Sequence, residues 1–185
     1  MALGNPGPEY EDTRHNAGFL LADHLARRWQ TPPFRRDGVS RVSRVDRDGT
    51  AVLLIKPQTW MNRSGLALAP LRDRPAFDPA AHLLILVDDV ALPPGRFRLR
   101  GAGTAGGHNG LKSIEAALRR QDYARLRVGV GARPADWDDL ADWVLSPFDP
   151  ADRAALDATL DTMAEAVESW LHDGIETAMT RFNRT

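Results

Sequence analysis

The chain has 185 residues and a mass of 20.4 kDa, long enough for one domain with a substantial core. It contains no cysteine, which removes disulfides, a thiol nucleophile and cysteine-containing zinc sites, and leaves histidine and carboxylates as the acid/base candidates. Its 24 basic and 25 acidic residues nearly cancel, which argues against indiscriminate nucleic-acid binding but allows a local basic stripe.

The first distinctive stretch is Gly4-Asn5-Pro6-Gly7-Pro8-Glu9-Tyr10, followed by Arg14-His15-Asn16. A Gly/Pro-rich turn here delivers polar side chains just before an apolar helical pattern, and such a turn can hold one histidine in a fixed orientation. Phe19, Leu20, Ala22, Leu25, Ala26 and Trp29 predict a helix over 17–29, with Asn16 as its cap. Gln30 to Gly38, with Pro32 and Pro33, reads as a loop. Val39–Val45 and Ala51–Ile55 read as strands joined by a hairpin through Asp48-Gly49.

A short helix follows from Arg63 towards Arg72, and the continuous apolar run from His82 to Val87 has the pattern of a buried central strand. Pro93-Pro94-Gly95 turns the chain into a strand over Arg96–Arg100. Glycines then crowd positions 101–110 ahead of a helix over Leu111–Arg120, a strand over Arg125–Gly131 and a short helix or lid-like segment over Asp136–Ser146. Pro150 to Phe182 is an amphipathic helix broken near Gly174. Strands interspersed with helices, together with the hairpin, give an α/β class: a single globular domain over 1–185 with a twisted mixed β-sheet flanked by α-helices, a three-layer sandwich. No apolar run approaches the roughly 20 residues of a membrane span and no secretory signal is visible, so a cytoplasmic location is expected.

His15 is the leading candidate base, although a hydrogen-bonded loop histidine would look the same in isolation. Asp88-Asp89 follows the central strand, where ligands of open α/β sheets collect. A carboxylate there could orient an imidazole, or the pair could simply form a turn. In Lys56 to Gly65, Trp60 offers a stacking face and Asn62 both a donor and an acceptor; core packing and helix capping are the plainer roles. The glycines of 101–110 lead through His108-Asn109 into a helix, where backbone N–H groups can receive an anion or carbonyl oxygen. Neither a P-loop nor a dinucleotide fingerprint is present. His15, His108, Asp88 and Asp89 lack the spacing of known metal motifs, so no metal is expected. Arg96, Arg98 and Arg100 alternate along one strand, and Arg125 and Arg127 along another. Each set shares a face that could clamp phosphates or merely meet solvent.

Taken together, GNPGPEYEDTRHNAG (Gly4 to Gly18), KPQTWMNRSG (Lys56 to Gly65), VDDVALPPG (Val87 to Gly95), AGGHNGLKSI (Ala105 to Ile114) and RLRVGVG (Arg125 to Gly131) resemble bacterial peptidyl-tRNA hydrolase of the first, monomeric type. The resemblance implies hydrolysis of the ester joining a peptide to the 3′ end of tRNA, which recycles tRNA from peptidyl-tRNA lost by ribosomes. It implies His15 as proton acceptor, Asp88 as its supporting carboxylate, and Asn5 as the residue that helps distinguish blocked from unblocked aminoacyl-tRNA. Tyr10, Trp60, Asn62 and Asn109, with Met61 beside them, match substrate-contacting positions; Arg100 and Arg127 match positions that grip tRNA phosphate. The partner implied is peptidyl-tRNA, through its acceptor stem and 3′ end, with no cofactor, no obligate protein partner and a monomeric state.

Two rival readings stay open on sequence: a non-catalytic RNA-binding relative, like the chloroplast intron splicing factors of this fold, and a metal-dependent hydrolase. One departure from the family pattern stands out. Only Met1-Ala2-Leu3 precedes Gly4, too little for a full central strand, so the natural polypeptide is expected to begin upstream and the α-amino group to lie near the sheet interior.

Overall fold

Leu84 to Val87 is apolar without interruption because both faces of its strand are covered. Leu84 and Leu86 pack into one core with Leu21, Leu25, Met163 and Val167, whereas Ile85 and Val87 pack into a second with Leu3, Leu111, Ile114 and Leu68. The computed structural model, which describes residues 1–183, therefore has three layers: helices on each side of one sheet. Its strands are β1 (Arg35–Asp37), β2 (Ser40–Arg47), β3 (Thr50–Pro57), β4 (Leu84–Asp89), β5 (Phe97–Arg100) and β6 (Ala124–Gly129). Its helices are α1 (Ala17–Arg28), α2 (Ala69–Arg72), α3 (Pro79–His82), α4 (Asn109–Leu118), α5 (Leu140–Leu145), α6 (Pro150–Asp157) and α7 (Leu160–Phe182), with a 3-10 segment over Met61–Leu68.

The strands form two three-stranded ladders, antiparallel β1-β2-β3 and mixed β4-β6-β5, in which β6 runs parallel to β4 and antiparallel to β5. The first three residues stitch these ladders together. Ala2 N–H donates to Ile55 C=O at 2.9 Å on one side, while Leu3 N–H donates to Leu86 C=O and Leu86 N–H to Met1 C=O, both at 2.9 Å, on the other. Residues 1–3 thus lie as a short strand segment between β3 and β4. The Met1 amine takes the place of a ladder N–H, donating to Leu84 C=O at 2.7 Å, and its complete burial lowers its pKa from 8.0 to about 5. Beyond it, between β3 and the start of β4, lies an apolar cavity of about 460 Å³ reached by Leu53, Leu84, Trp29, Phe77 and Trp170.

Most expected elements are present, with instructive shifts. The hairpin turns through Asp48 (φ 52°) and Gly49 (φ 83°), the two positive angles a tight primed turn needs. The Gln30–Gly38 loop contains the edge strand β1, whose exposed Arg35-Arg36-Asp37 gave no apolar signal. Residues 63–72 are mostly 3-10, and His82 ends α3 rather than opening β4. The C-terminal helix breaks between α6 and α7 as well as at Gly174 (φ 81°). Two glycines matter for packing onto the site. A Cβ on Gly18 would lie 2.5 Å from Leu86 C=O, and one on Gly65 would lie 2.2 Å from Ser113 C=O. Only glycine lets α1 sit this close to β4 and the 3-10 segment this close to α4.

Candidate active site

Two 3-10 turns, Pro8–Tyr10 and Arg14–Asn16, carry the chain from the sheet into α1. Asn16 does not cap the helix as expected, because the second turn runs straight into α1 and leaves Asn16 near-helical (φ −99°, ψ 10°) rather than extended. Its buried amide instead mimics a strand partner for Asn5: Asn5 N–H donates to Asn16 Oδ1 at 2.7 Å and Asn16 Nδ2 donates to Asn5 C=O at 3.0 Å. The Asn5 side chain is oriented in turn by Met61, whose N–H donates to Asn5 Oδ1 at 2.8 Å. A backbone N–H can only donate, so this bond takes Asn5 Oδ1 and leaves Nδ2 as the donor end of the amide.

His15 sits in the second turn and meets the end of β4. Its Nδ1 lies 2.9 Å from Asp88 Oδ2, while the other oxygen, Oδ1, lies 2.8 Å from His108 Nε2. Asp88 is 3% exposed. Burial works against its charge, but the two facing histidines outweigh burial and hold its pKa well below the usual carboxylate range. An ionised carboxylate only accepts, so both histidine nitrogens facing it carry hydrogen. For His15, burial opposes protonation, yet the charge and hydrogen bond of Asp88 prevail and raise its pKa above the ordinary 6.5. The neutral ring, with its hydrogen on Nδ1, keeps a lone pair on Nε2.

His108 was visible in the sequence as a neighbour of Asn109, but nothing there connected it to Asp88. It is the N-cap of α4, and its Nδ1 accepts from the N–H groups of Gly110 at 3.1 Å and Leu111 at 3.3 Å. The helix end therefore fixes its tautomer, with hydrogen on Nε2 donated to Asp88. Among the described residues, His15, Asp88 and His108 are the group whose donor atoms converge closely enough for a metal, all within 4.8 Å. That capping tautomer leaves His108 Nε2 as a donor with no lone pair for a metal.

Around this triad the other expected residues take definite places. Trp60, 54% exposed, meets Tyr10 edge-to-face at 5.9 Å between ring centroids. Met61 is buried, and its sulfur packs against Gly110 at the start of α4. Asn62 follows it and Asn109 follows His108; both are exposed at the starts of their helices. The arginines lie elsewhere, on the face of β5 and β6 below the glycine loop, where Arg98 stands opposite Arg127 and Arg100 opposite Arg125. Arg100 is exposed. Arg127 is half-buried, with Nε 2.8 Å from Asp89 Oδ2. Arg125 is no phosphate clamp: it is fully buried, donates to the carbonyls of Thr104 at 3.2 Å and Gln121 at 3.0 Å, and covers the Tyr123 ring. The 460 Å³ cavity has none of these site residues in its lining.

A sequence model of the family described as Peptidyl-tRNA hydrolase matches residues 1–185. The peptidyl-tRNA hydrolase of Gemmatimonas aurantiaca is 48% identical over 189 aligned residues, covering 100% of this chain and 98% of that protein. The peptidyl-tRNA hydrolase of Symbiobacterium thermophilum is 46% identical, covering 99% of this chain and 97% of its own length. The crystal structure of peptidyl-tRNA hydrolase from Acinetobacter baumannii superimposes with a TM-score of 0.90 at 32% identity, covering 98% of this chain and 92% of that one.

Proposed function

From the membership of this chain in the peptidyl-tRNA hydrolase family, and hence its activity as a hydrolase of peptidyl-tRNA, we propose that His15 is the general base of the reaction. The observation that carries this reading is the His15–Asp88 pair. A buried anionic acceptor fixes hydrogen on Nδ1 and leaves Nε2 to take a proton from water as that water attacks the ester carbonyl. Asp88 then stabilises the imidazolium, as the third member of a catalytic triad does. His108 holds the far oxygen of Asp88 and so keeps the near one aimed at His15.

Asn5 Nδ2 is a preorganised donor, its amide held by Met61 and its backbone by Asn16. A donor of this kind, directed at a developing oxyanion or at the carbonyl of an N-blocked residue, contributes about 3 kcal/mol in enzymes where it has been removed. It also gives a reason to prefer blocked over free aminoacyl groups. Asn62 and Asn109, both exposed, supply further amides, and Tyr10 and Trp60 an aromatic wall for the substrate end. Arg100 and Arg127 grip tRNA phosphate. On this reading the protein acts as a monomer in the cytoplasm, without cofactor, on peptidyl-tRNA released from ribosomes. No helix among the described residues is long and apolar enough to cross a membrane.

The test is incubation of the purified protein with N-acetyl-aminoacyl-tRNA and with unblocked aminoacyl-tRNA, each with and without chelator. Release of N-acetyl amino acid, unaffected by chelator and faster than release from the unblocked substrate, is the expected result. Release abolished by chelator would favour a metal-dependent route. No release at all would favour an RNA-binding role.

A further inference from the structure

His15 stands between two buried polar side chains in its own turn. Asn16 is bound to Asn5 on one side. On the other, Arg14 is 2% exposed and points the opposite way, into the corner between α5 and α6. Its guanidinium donates to Ser146 Oγ at 3.0 Å, to Pro147 C=O and to Asp152 Oδ2 at 3.0 Å, with Asp149 at 3.7 Å. The carbon of the guanidinium lies 3.7 Å from the centroid of the Trp143 ring, a stacking distance. The backbone follows: Arg14 N–H donates to Ser146 C=O at 3.1 Å and Phe148 N–H to Asp12 C=O at 3.2 Å.

That corner is itself tied to the strand end carrying Asp88. Trp143 Nε1 donates to Gly131 C=O at 3.1 Å, and the neighbouring Val130 N–H donates to Asp89 C=O at 3.1 Å. A closed path of contacts thus runs from His15 through Arg14, Trp143, Gly131, Val130 and Asp89 to Asp88, and back to His15 across the 2.9 Å hydrogen bond. Trp143 is 8% exposed, so the end of the expected lid-like segment is packed in place.

We infer that Arg14 is a positioning residue of the hydrolase: through its stack on Trp143 it sets the distance between His15 and Asp88. It touches neither substrate nor the reacting atoms. The fork and flat face of arginine are both in use, so lysine, which keeps only the charge, is a poor substitute here. The inference rests on His15 being the base, but its direct readout does not. The His15 pKa, measured by NMR on substrate-free protein, reports the His15–Asp88 contact whether or not that contact is catalytic.

The test compares Arg14→Lys with wild type by thermal melt, by NMR titration of His15, and by kcat and KM on N-acetyl-aminoacyl-tRNA. Expected are a folded protein at assay temperature, a His15 pKa moved down as the Asp88 contact loosens, and kcat lower by about 10- to 100-fold with KM little changed, since small misplacements of a base act on the chemical step. A folded Arg14→Lys with wild-type His15 pKa and kcat would overturn the inference, as would a raised KM with kcat unchanged. Should Arg14→Lys not fold, Trp143→Phe keeps an aromatic ring under the guanidinium and gives up the bond to Gly131. It should shift pKa and kcat in the same direction by less, and a folded Trp143→Phe that moves neither would count equally against it. Full turnover by His15→Ala, in contrast, would sink the base assignment and leave the pKa result standing.

Discussion

His108 Nε2 donates to Asp88 Oδ1 at 2.8 Å, and this bond decides how the rest of the carboxylate can be used. Because the N–H groups of Gly110 and Leu111 occupy His108 Nδ1, the donor cannot become an acceptor without uncapping α4. Direction therefore passes along a chain of hydrogen bonds, from a helix end through two side chains to the lone pair on His15.

The first prediction follows from that direction. His15→Ala should lower kcat by about 10²- to 10⁴-fold, the range for a general base, with tRNA affinity nearly unchanged. Sequence reasoning alone makes Asp88→Asn the milder change. The hydrogen bonds around Asp88 argue against that difference. The fixed donor of His108 would keep the new amide's oxygen to itself and turn the amide nitrogen towards His15, forcing the ring hydrogen onto Nε2 and removing the base. Asp88→Asn should be as damaging as His15→Ala. Adding His108→Ala should restore part of the rate, because the amide can then rotate. A double variant no faster than Asp88→Asn alone, measured as kcat on N-blocked aminoacyl-tRNA, would refute the directional chain.

The second concerns pH. With His15 as the proposed base, activity needs its neutral form, and since its pKa is raised, kcat/KM should fall on the acid side with a midpoint above 6.5. In Asp88→Ala the burial remains and the stabilising charge is gone, so the midpoint should move below 6.5 and the plateau should drop. The two stability contributions carry opposite signs. The raised pKa of His15 contributes stability that is complete below 6.5 and is lost as pH rises through the folded value. The lowered pKa of Asp88 contributes stability present above 3.8 and lost as pH falls through its folded value. A pH–rate profile of both proteins checks the activity part.

The third concerns the buried Met1 amine. Between its folded pKa of about 5 and its ordinary 8.0, the unfolded chain binds one more proton than the folded one, so stability rises with pH across that window. The slope is about 1.4 kcal/mol per pH unit at its steepest. Fusing about four apolar residues ahead of Met1 would replace the amine by an amide and fill the 460 Å³ cavity between β3 and β4. The extended form should melt higher, with a larger gain at pH 5.5 than at pH 8, while His15 contributes equally to both forms and cancels. Equal melts at both pH values would show that the amine is not buried as described.

The fourth separates the two arginines. Arg100 is exposed, so Arg100→Ala should weaken full-length peptidyl-tRNA, lower the slope of log affinity against log salt by about one unit, and leave a minimal substrate carrying only the terminal nucleoside unaffected. Arg127 is paired with Asp89, the neighbour of Asp88. Its loss frees a carboxylate beside the site, so Arg127→Ala should slow both substrates. Indifference of the minimal substrate to Arg127→Ala would return Arg127 to a phosphate-gripping role alone.

Much of the fold was legible because local patterns state it directly. The Asp48-Gly49 hairpin, the two-sided apolar strand at Leu84–Val87 and the amphipathic face of α1 each depend on residues a few positions apart. The elements that escaped lacked such a pattern. Strand β1 is a charged edge with both faces exposed, and the break at residues 158–159 between α6 and α7 carries no proline or glycine. Within the site, His15, Asp88 and Asn5 were singled out by residue type, setting and family resemblance, and the fold brings them together with their partners.

What the sequence by itself determined is the class of the fold, the family and the identity of the chemical groups, because periodicity, turn residues and motif order are properties of neighbours along the chain. Only the tertiary structure decided how those groups are used. The tautomer of His108 depends on the end of α4, the amide of Asn5 on Met61, 56 residues away, the burial of Arg125 on the glycine loop, and the burial of Arg14 on Trp143. A hydrogen bond's direction and a charge's desolvation depend on atoms brought close by folding, and separation along the chain carries no record of either.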